Sequence, residues 1–221
     1  MTRKHVALML AAAIGAAATI EAGGWAVITL EDLPARVEAG KPLALTFTVR
    51  QHGIEALPGL KPSIVAVSGG RRFDTRAAAT STAGQYTAAI ALPKAGEWVL
   101  TIDSGFIDSK LTLLPLTAVE PGAAIPPLAP ADLGQQLFVA KGCVTCHANT
   151  LLASNVSLTV GPPLVPYKYQ DDHLARILAN PAATLPRRAE FGVMPDLNLK
   201  AGEIAALVTF INTGRTAKKS L

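Results

Sequence analysis

Apolar and polar residues alternate in the first half of the chain. In residues 43–50 every second side chain, from Leu43 to Val49, is apolar, so one face of the run is apolar. Similar short runs follow, separated by glycine and proline turns. This pattern is typical of an antiparallel β-sandwich, and about six or seven strands fit its length. The strands are predicted at residues 25–30, 43–50, 63–68, 85–92, 97–102 and 110–116, in a domain at residues 24–117.

After residue 132 the apolar spacing becomes helical. Asp132 is a candidate N-cap for a helix in which Leu133, Leu137 and Phe138 share one face. Further helices are predicted from about residue 171 to 179 and from about 200 to 213, with loops between them. The sequence therefore predicts a second, all-α domain at residues 132–216.

A proline-rich stretch separates the two patterns. Residues 118–131 contain four prolines, a glycine and several alanines. Proline lacks an N–H donor and interrupts helices and central strands, and proline-rich linkers are semi-extended spacers. We place the domain boundary in this linker.

The N-terminus has the pattern of an export segment. Arg3 and Lys4 precede an uncharged apolar stretch at residues 6–20, with small residues near its end. This order is typical of a signal peptide, here at residues 1–22. The apolar stretch is short for a spanning helix, which needs about 20 residues. The pattern favours a cleaved signal over a retained membrane anchor, and both predict a protein in the periplasm or on the outer face of the cytoplasmic membrane.

Charge and composition limit which classes of partner are expected. The formal net charge is +4, and no run of Lys and Arg is interleaved with aromatic residues. Nucleic acid is therefore not an expected partner. Half of the residues are hydrophobic but only 5% are aromatic, so the cores are expected to consist largely of Val, Leu, Ile and Ala.

The chemistry of the chain centres on Cys-x-x-Cys-His at residues 143–147. This spacing is the attachment signature of a c-type haem. Each of Cys143 and Cys146 can form a thioether with one haem vinyl group, and His147 can give an imidazole nitrogen to the iron.

Three other interpretations of the two cysteines fit the sequence less well. A thioredoxin-like redox pair belongs in a βαβ context, which is not predicted around residue 143. A zinc site would need about four thiolate or imidazole ligands, and these are the only two cysteines in the chain. A disulfide between them would leave the adjacent His147 unexplained.

Residues from Asp132 to Gly214 resemble a class I monohaem cytochrome c, with its landmarks in order. The resemblance implies one covalent haem c, a crossing of the first and last helices, and a hydrogen bond from His147 to the carbonyl of Pro162. It places Gly134 and Phe138 on the first helix against Leu207 and Phe210 on the last. Tyr167, Tyr169, Arg187 and Arg188 are candidates to meet the haem propionates, although exposed loop side chains would show the same pattern.

Met194 is the candidate sixth ligand of the iron. It lies 47 residues after His147, in Val193-Met194-Pro195 between two predicted helices. Histidine and methionine ligation raises the reduction potential relative to two histidines and fills the sixth position. The alternatives are a core methionine that fills a gap and a rival ligand, His173, which lies at the start of an amphipathic helix.

The first domain resembles YtkA-like and FixH-like immunoglobulin-type sandwiches. The resemblance rests on Gly84-Gln85-Tyr86, on residues 92–98 with Pro93 and Trp98, and on Gly24-Trp25-Ala26. Some related sandwiches carry copper through His and Met. This domain has one histidine, His52, and no methionine between residues 25 and 128, so a role as a spacer or docking module is favoured over copper binding.

These patterns predict an electron carrier rather than an enzyme. Its partners are expected to be redox proteins, such as a membrane complex of a respiratory or photosynthetic chain. The alternative is the haem-bearing electron-entry subunit of a membrane oxidoreductase such as a terminal oxidase. A catalytic haem protein would need an open iron position, and a metal-handling sandwich with an accessory cytochrome would need a His/Met cluster.

Overall fold

The computed structural model describes residues 24–34, 37–149, 151–152, 158, 160–164, 167–185, 194–213 and 216–217. The predicted export segment, Arg187 and Arg188 lie outside these ranges. Within them, two β-sheets precede a helical region, so the predicted fold class is confirmed. None of the helices in these ranges combines the length and apolarity that a bilayer-spanning helix requires.

The strands before residue 120 form the sandwich. They are β1 (Ala26–Leu30), β2 (Val37–Glu38), β3 (Pro42–Gln51), β4 (Glu55–Ala56), β5 (Ser63–Ser68), β6 (Arg71–Arg76), β7 (Ala78–Ala79), β8 (Gln85–Ala91), β9 (Gly96–Asp103), β10 (Lys110–Thr112) and β11 (Leu116–Val119).

Two sheets pack face to face. One has the order β1-β3-β8-β7, with β4 beside β3. The other has the order β2-β11-β9-β5-β6, with β10 beside β9. Neighbouring strands are antiparallel except for the pair of β11 with β2, which is parallel. Strand β1 is the edge strand of the first sheet.

The alternation seen in the sequence forms the sandwich core. Leu45, Phe47 and Val49 on β3 are fully buried, as is Trp98 on β9. Burying each large apolar side chain contributes about 1.5–3 kcal/mol relative to leaving it exposed. The Tyr86 hydroxyl donates to the carbonyl of Leu57 at 2.6 Å and accepts from the N–H of Leu60 at 3.0 Å, so its polar end is satisfied within the core.

The structure corrects the strand list. The sequence does not predict strand β6, because its residues, Arg-Arg-Phe-Asp-Thr-Arg, are mostly charged and all but Thr75 are exposed. It exists because it pairs with β5 along its whole length. The predicted strand at residues 110–116 is two strands, β10 and β11, which both pair with β9.

The helices are α1 (Pro130–Ala140), α2 (Cys143–Cys146), α3 (Asp171–Ala179), α4 (Pro181–Thr184) and α5 (Ala201–Asn212). The short strands β12 (Tyr167–Lys168) and β13 (Thr216–Ala217) pair in parallel.

Helix α1 begins three residues earlier than a helix capped by Asp132 would. Asp132 is not its N-cap but lies in its first turn, where an acidic side chain favours the helix N-terminus. Ala129 is the N-cap, and Pro130 takes the first helical position, where its missing N–H costs nothing. The irregular segment between β11 and α1 is therefore residues 120–129, shorter at both ends than the predicted linker.

Helices α1 and α5 cross in close contact. A Cβ on Gly134 would overlap the carbonyl oxygen of Ala206 and lie 2.6 Å from its carbonyl carbon, so only glycine allows this approach. The rings of Phe138 and Phe210 pack edge to face, with centroids 5.6 Å apart. Leu207 is fully buried beside them. This crossing is the one that the resemblance implied.

Candidate haem site

The attachment motif is a single helical turn. Helix α2 contains both cysteines, and the N–H of His147 donates to the carbonyl of Cys143 at 2.9 Å. Gly142 precedes the turn with a φ of 79°, in the left-handed region that favours glycine. Cys143 and Cys146 form no disulfide. The two thiols are thus held on one short turn, with the histidine directly after it.

The loop after the motif is tied back onto it. The N–H groups of Leu158, Gly161 and Leu164 donate to the carbonyls of Thr145, Cys146 and Ala148, at 2.9, 2.9 and 3.0 Å. These bonds hold the Gly161-Pro162 segment against the histidine, and they use backbone groups, so the sequence alone does not reveal them.

The His147 ring is oriented by Pro162. Its Nδ1 lies 2.8 Å from the carbonyl oxygen of Pro162. A carbonyl can only accept, so Nδ1 carries the proton and Nε2 keeps its lone pair for a metal. Such a bond from the second nitrogen is the usual support of a metal-ligating histidine.

Gly161 is a site residue that the sequence pattern does not single out. A Cβ at this position would lie 2.5 Å from Cε1 and 2.7 Å from Nδ1 of His147. The backbone of Gly161 therefore lies in close contact with the imidazole ring. Its place before Pro162 is visible in the sequence, but its contact with the ring is not.

Burial sets the ionisation of the three motif side chains. Burial raises the pKa of the Cys143 thiol to about 12, with a smaller contribution from Cys146. Burial also raises the pKa of Cys146, to about 11. The pKa of His147 is lowered by burial, against which the hydrogen bond to Pro162 acts. Burial therefore favours uncharged groups at the motif. The thioethers of a bound haem c and a neutral imidazole ligand meet this condition.

One buried polar atom near the motif lacks a protein partner. Asn149 is buried two residues after His147, and its Oδ1 accepts from the N–H of Leu151 at 3.0 Å. Its Nδ2 has no hydrogen-bond partner among the described residues. Since an unsatisfied buried donor is costly, this N–H is available to an acceptor on a cofactor. This N–H, the oriented imidazole of His147 and the two thiols on one turn together fit a bound haem.

For the other predicted site residues that it describes, the structure gives burial or backbone contacts. Met194 is half-buried and packs against the hydrophobic core, to which Cys143 also packs. Tyr167 lies in β12, but its side chain is outside the described part of the structure. Tyr169 is half-buried, and its backbone exchanges hydrogen bonds with the Asn212 side chain at 2.9 and 3.1 Å.

Two histidines outside the motif lie at the surface. His173 is exposed in the first turn of α3. His52 is exposed in the turn after β3, where its ring centroid lies 5.3 Å from that of Trp25. Within the described ranges, no group of three or more His, Cys, Asp or Glu side chains could hold a metal ion.

The helical region matches a known family. The model of the cytochrome c family matches residues 131–215, which is less than half of the 221-residue chain. No curated protein matches the chain. The resemblance of the sandwich to YtkA-like and FixH-like domains stays a prediction.

Two solved structures show weak similarity. A superoxide reductase (neelaredoxin) from Ignicoccus hospitalis is 13% identical, with a TM-score of 0.28, over 42% of this chain and 79% of that one. The PKD domain of the human VPS10 domain-containing receptor SorCS2 is 11% identical, with a TM-score of 0.26, over 45% of this chain and 76% of that one. At these scores neither similarity supports an argument about fold or function.

The family match and the geometry of the motif agree on the chemistry. Haem c, attached covalently and carrying iron, is the cofactor, and the predicted haem-binding, electron-transfer character of the protein is confirmed at this level. Residues 131–215 are a cytochrome c domain.

Proposed function

We propose that this protein is an exported carrier of single electrons whose iron is ligated by His147 and Met194. The hydrogen bond from His147 Nδ1 to the Pro162 carbonyl carries the proposal, because it leaves the lone pair of Nε2 available to a metal. Haem supplies the change between ferric and ferrous iron when it is bound. The protein makes no substrate bond in this function and is not an enzyme.

The protein residues hold and orient the cofactor. Cys143 and Cys146, both partly buried, anchor it covalently. Gly161 packs against the imidazole of His147 and Pro162 accepts a hydrogen bond from it, so the ring is held in one orientation. A fixed environment of this kind limits the reorganisation that accompanies each electron transfer.

Met194 is supported as the second ligand by its position. It is half-buried beside the core to which Cys143 also packs. It is also the only methionine between residues 132 and 221. His173 is exposed on α3, in a poor position to compete.

The test is a pair of substitutions at Met194. Met194→Leu preserves apolar volume, and such exchanges in cores are usually tolerated. If Met194 is a ligand, Met194→Leu and Met194→Ala both lower the potential and remove the methionine-to-iron band near the red end of the ferric spectrum, because a soft thioether favours ferrous iron. The control, His173→Ala, is expected to leave both unchanged. A Met194→Leu protein with the wild-type spectrum would show that Met194 only fills a gap.

We further propose that the carrier works outside the cytoplasm in a respiratory or photosynthetic chain, with redox proteins as its partners. The alternative, an electron-entry subunit of a membrane oxidoreductase, requires stable association. Purification of the tagged protein from solubilised membranes separates the two, because only a subunit would retain catalytic chains through repeated washing.

A further inference from the structure

The edge strand of the sandwich is buried on both faces. Ala26, Ile28 and Leu30 of β1 point into the sandwich core. Val27 and Thr29 point the other way, yet each is only 3% exposed. The outer face of an edge strand usually meets water, so another part of the chain covers this one.

The cover is the backbone just before the haem-attachment motif. A Cβ on Gly142 would lie 2.6 Å from the carbonyl oxygen of Ile28 and 2.7 Å from Cγ1 of Val27. Gly142 directly precedes Cys143. Strand β1 therefore contacts the backbone from which the first haem thioether projects.

The same edge of the sandwich touches the residue after Met194. A Cβ on Gly53, in the turn after β3, would lie 3.3 Å from Cγ of Pro195 and 3.4 Å from Cγ2 of Val27. Val27 thus lies between the two contacts. The sandwich abuts the neighbours of both Cys143 and Met194, which are 51 residues apart.

A buried lysine joins the two domains at this place. The Lys141 side chain is 3% exposed. Its Nζ donates to the backbone carbonyl of Glu31 at 2.7 Å and pairs with the Glu203 carboxylate at 2.9 Å. The Lys141 carbonyl accepts from the Thr29 hydroxyl at 3.4 Å. One residue thereby links the end of β1, the end of α1 and the first turn of α5.

We propose that the contacts of Lys141 with Glu31, Glu203 and Thr29, here called the lock, hold the sandwich against the cytochrome domain and restrain the Met194 segment. The sandwich then determines how readily a competing ligand displaces Met194 from the iron. Lys141 and Val27 are positioning residues in this scheme, since neither touches the iron. The inference rests on the proposed ligation by Met194. It gives the sandwich a role in the haem site itself, beyond that of a spacer.

The test is displacement of Met194 by imidazole in the full-length ferric holoprotein. Imidazole must push the Met194 segment aside to bind, so its affinity increases when that segment is less restrained. Lys141→Met removes both polar links at similar length and is expected to tighten imidazole binding about tenfold. Val27→Ala opens a gap between the two contacts and is expected to tighten binding about threefold. Loss of the methionine-to-iron band measures both affinities.

Matched controls separate the lock from general destabilisation. Lys41→Met removes an exposed ion pair with Glu38 elsewhere in the sandwich. Val49→Ala makes the same change as Val27→Ala but inside the sandwich core, where Val49 is fully buried. Both are expected to bind imidazole within about twofold of the wild type.

The outcomes distinguish the two proposals. Wild-type affinity in Lys141→Met and Val27→Ala would overturn the lock, as would an equal increase in Val49→Ala. If Lys141→Met fails to accumulate as holoprotein, the comparison of imidazole affinity between Val27→Ala and Val49→Ala decides whether the lock exists. Absence of the methionine-to-iron band in the wild type would instead overturn ligation by Met194, and the lock with it.

Discussion

At the scale of single residues, the imidazole of His147 is prepared for its task before any metal binds. Pro162 fixes the tautomer, the backbone of Gly161 packs against the ring, and burial lowers the pKa of the ring. The supports from Pro162 and Gly161 act through backbone groups, which a side-chain substitution elsewhere does not easily disturb. The site is therefore most sensitive where a new side chain would enter the contact.

We expect Gly161→Ala to damage the haem site. The added Cβ would lie 2.5 Å from the His147 ring, so the ring or the loop must move. Overpacking of this kind costs about 1–3 kcal/mol. The φ of Gly161 is not positive, so backbone strain does not contribute. Covalent haem per polypeptide, measured after acid-acetone extraction, and the free energy of unfolding should both fall.

Gly202→Ala is the matched control for that substitution. Gly202 lies in α5 with nothing within 4 Å of the added Cβ. Alanine there should leave haem content unchanged and stabilise the helix by up to about 1 kcal/mol. Normal haem content and stability in Gly161→Ala would contradict the contact between Gly161 and the ring.

At the scale of elements, the crossing of α1 with α5 holds the cytochrome domain together. The first and last helices meet at Gly134, beside Phe138 and Phe210. The motif follows α1 directly, and the Met194 segment leads into α5, so this crossing sets where both approach the haem.

Gly134→Ala is expected to destabilise the protein despite the better helix propensity of alanine. The propensity gain is about 1 kcal/mol. The new Cβ would overlap the Ala206 carbonyl oxygen and lie 2.7 Å from Cβ of Phe210, so two backbones must separate. We expect a net loss of about 1–3 kcal/mol in denaturant unfolding followed by helical circular dichroism. A gain in stability, as expected for Gly202→Ala, would show that the helices are not in close contact.

At the scale of the whole molecule, the sandwich and the cytochrome domain share one continuous core and a polar junction. Lys141 forms the buried part of that junction. Lys200 and Asp32 form an exposed ion pair at its rim, joining the N-cap of α5 to the segment after β1. Exposed pairs contribute little and are screened by salt, whereas breaking a buried pair is costly.

The exposed pair predicts a pH-dependent contribution to stability. The hydrogen bond from Lys200, and then its charge, lowers the pKa of the Asp32 carboxyl below its ordinary value of 3.8. A lowered native pKa stabilises the folded state above the unfolded pKa, and this is lost as the pH falls through the native pKa. Asp32→Asn should therefore destabilise slightly at pH 7 in low salt, and the difference should vanish in acid and in about 1 M salt.

A Lys200→Met background provides the control. Without the ammonium partner, Asp32→Asn should cost little at any pH, as denaturant titrations between neutral and acidic pH would show. The same pH-dependent loss in both backgrounds would contradict the pairing of Asp32 with Lys200.

The local patterns determined much of this protein. Alternation at residues 43–49 and helical spacing near residue 133 each depend on neighbours along the chain, and both are visible without a fold. The motif at residues 143–147 is also local, since covalent attachment of haem needs its groups on one turn. Strand β6 is not visible in this way, because pairing with β5, rather than its own apolar pattern, makes it a strand.

Only the tertiary structure decided what the two domains do to each other. The sequence of β1 does not show what covers its outer face, and nothing near Lys141 indicates a partner at Glu31, 110 residues earlier. A buried charge is tolerable only where distant groups converge to satisfy it. The sequence by itself thus determined a haem site behind a β-domain, whereas the contacts across long separations joined them at Gly142 and Pro195, because packing and burial depend on which surfaces meet in space.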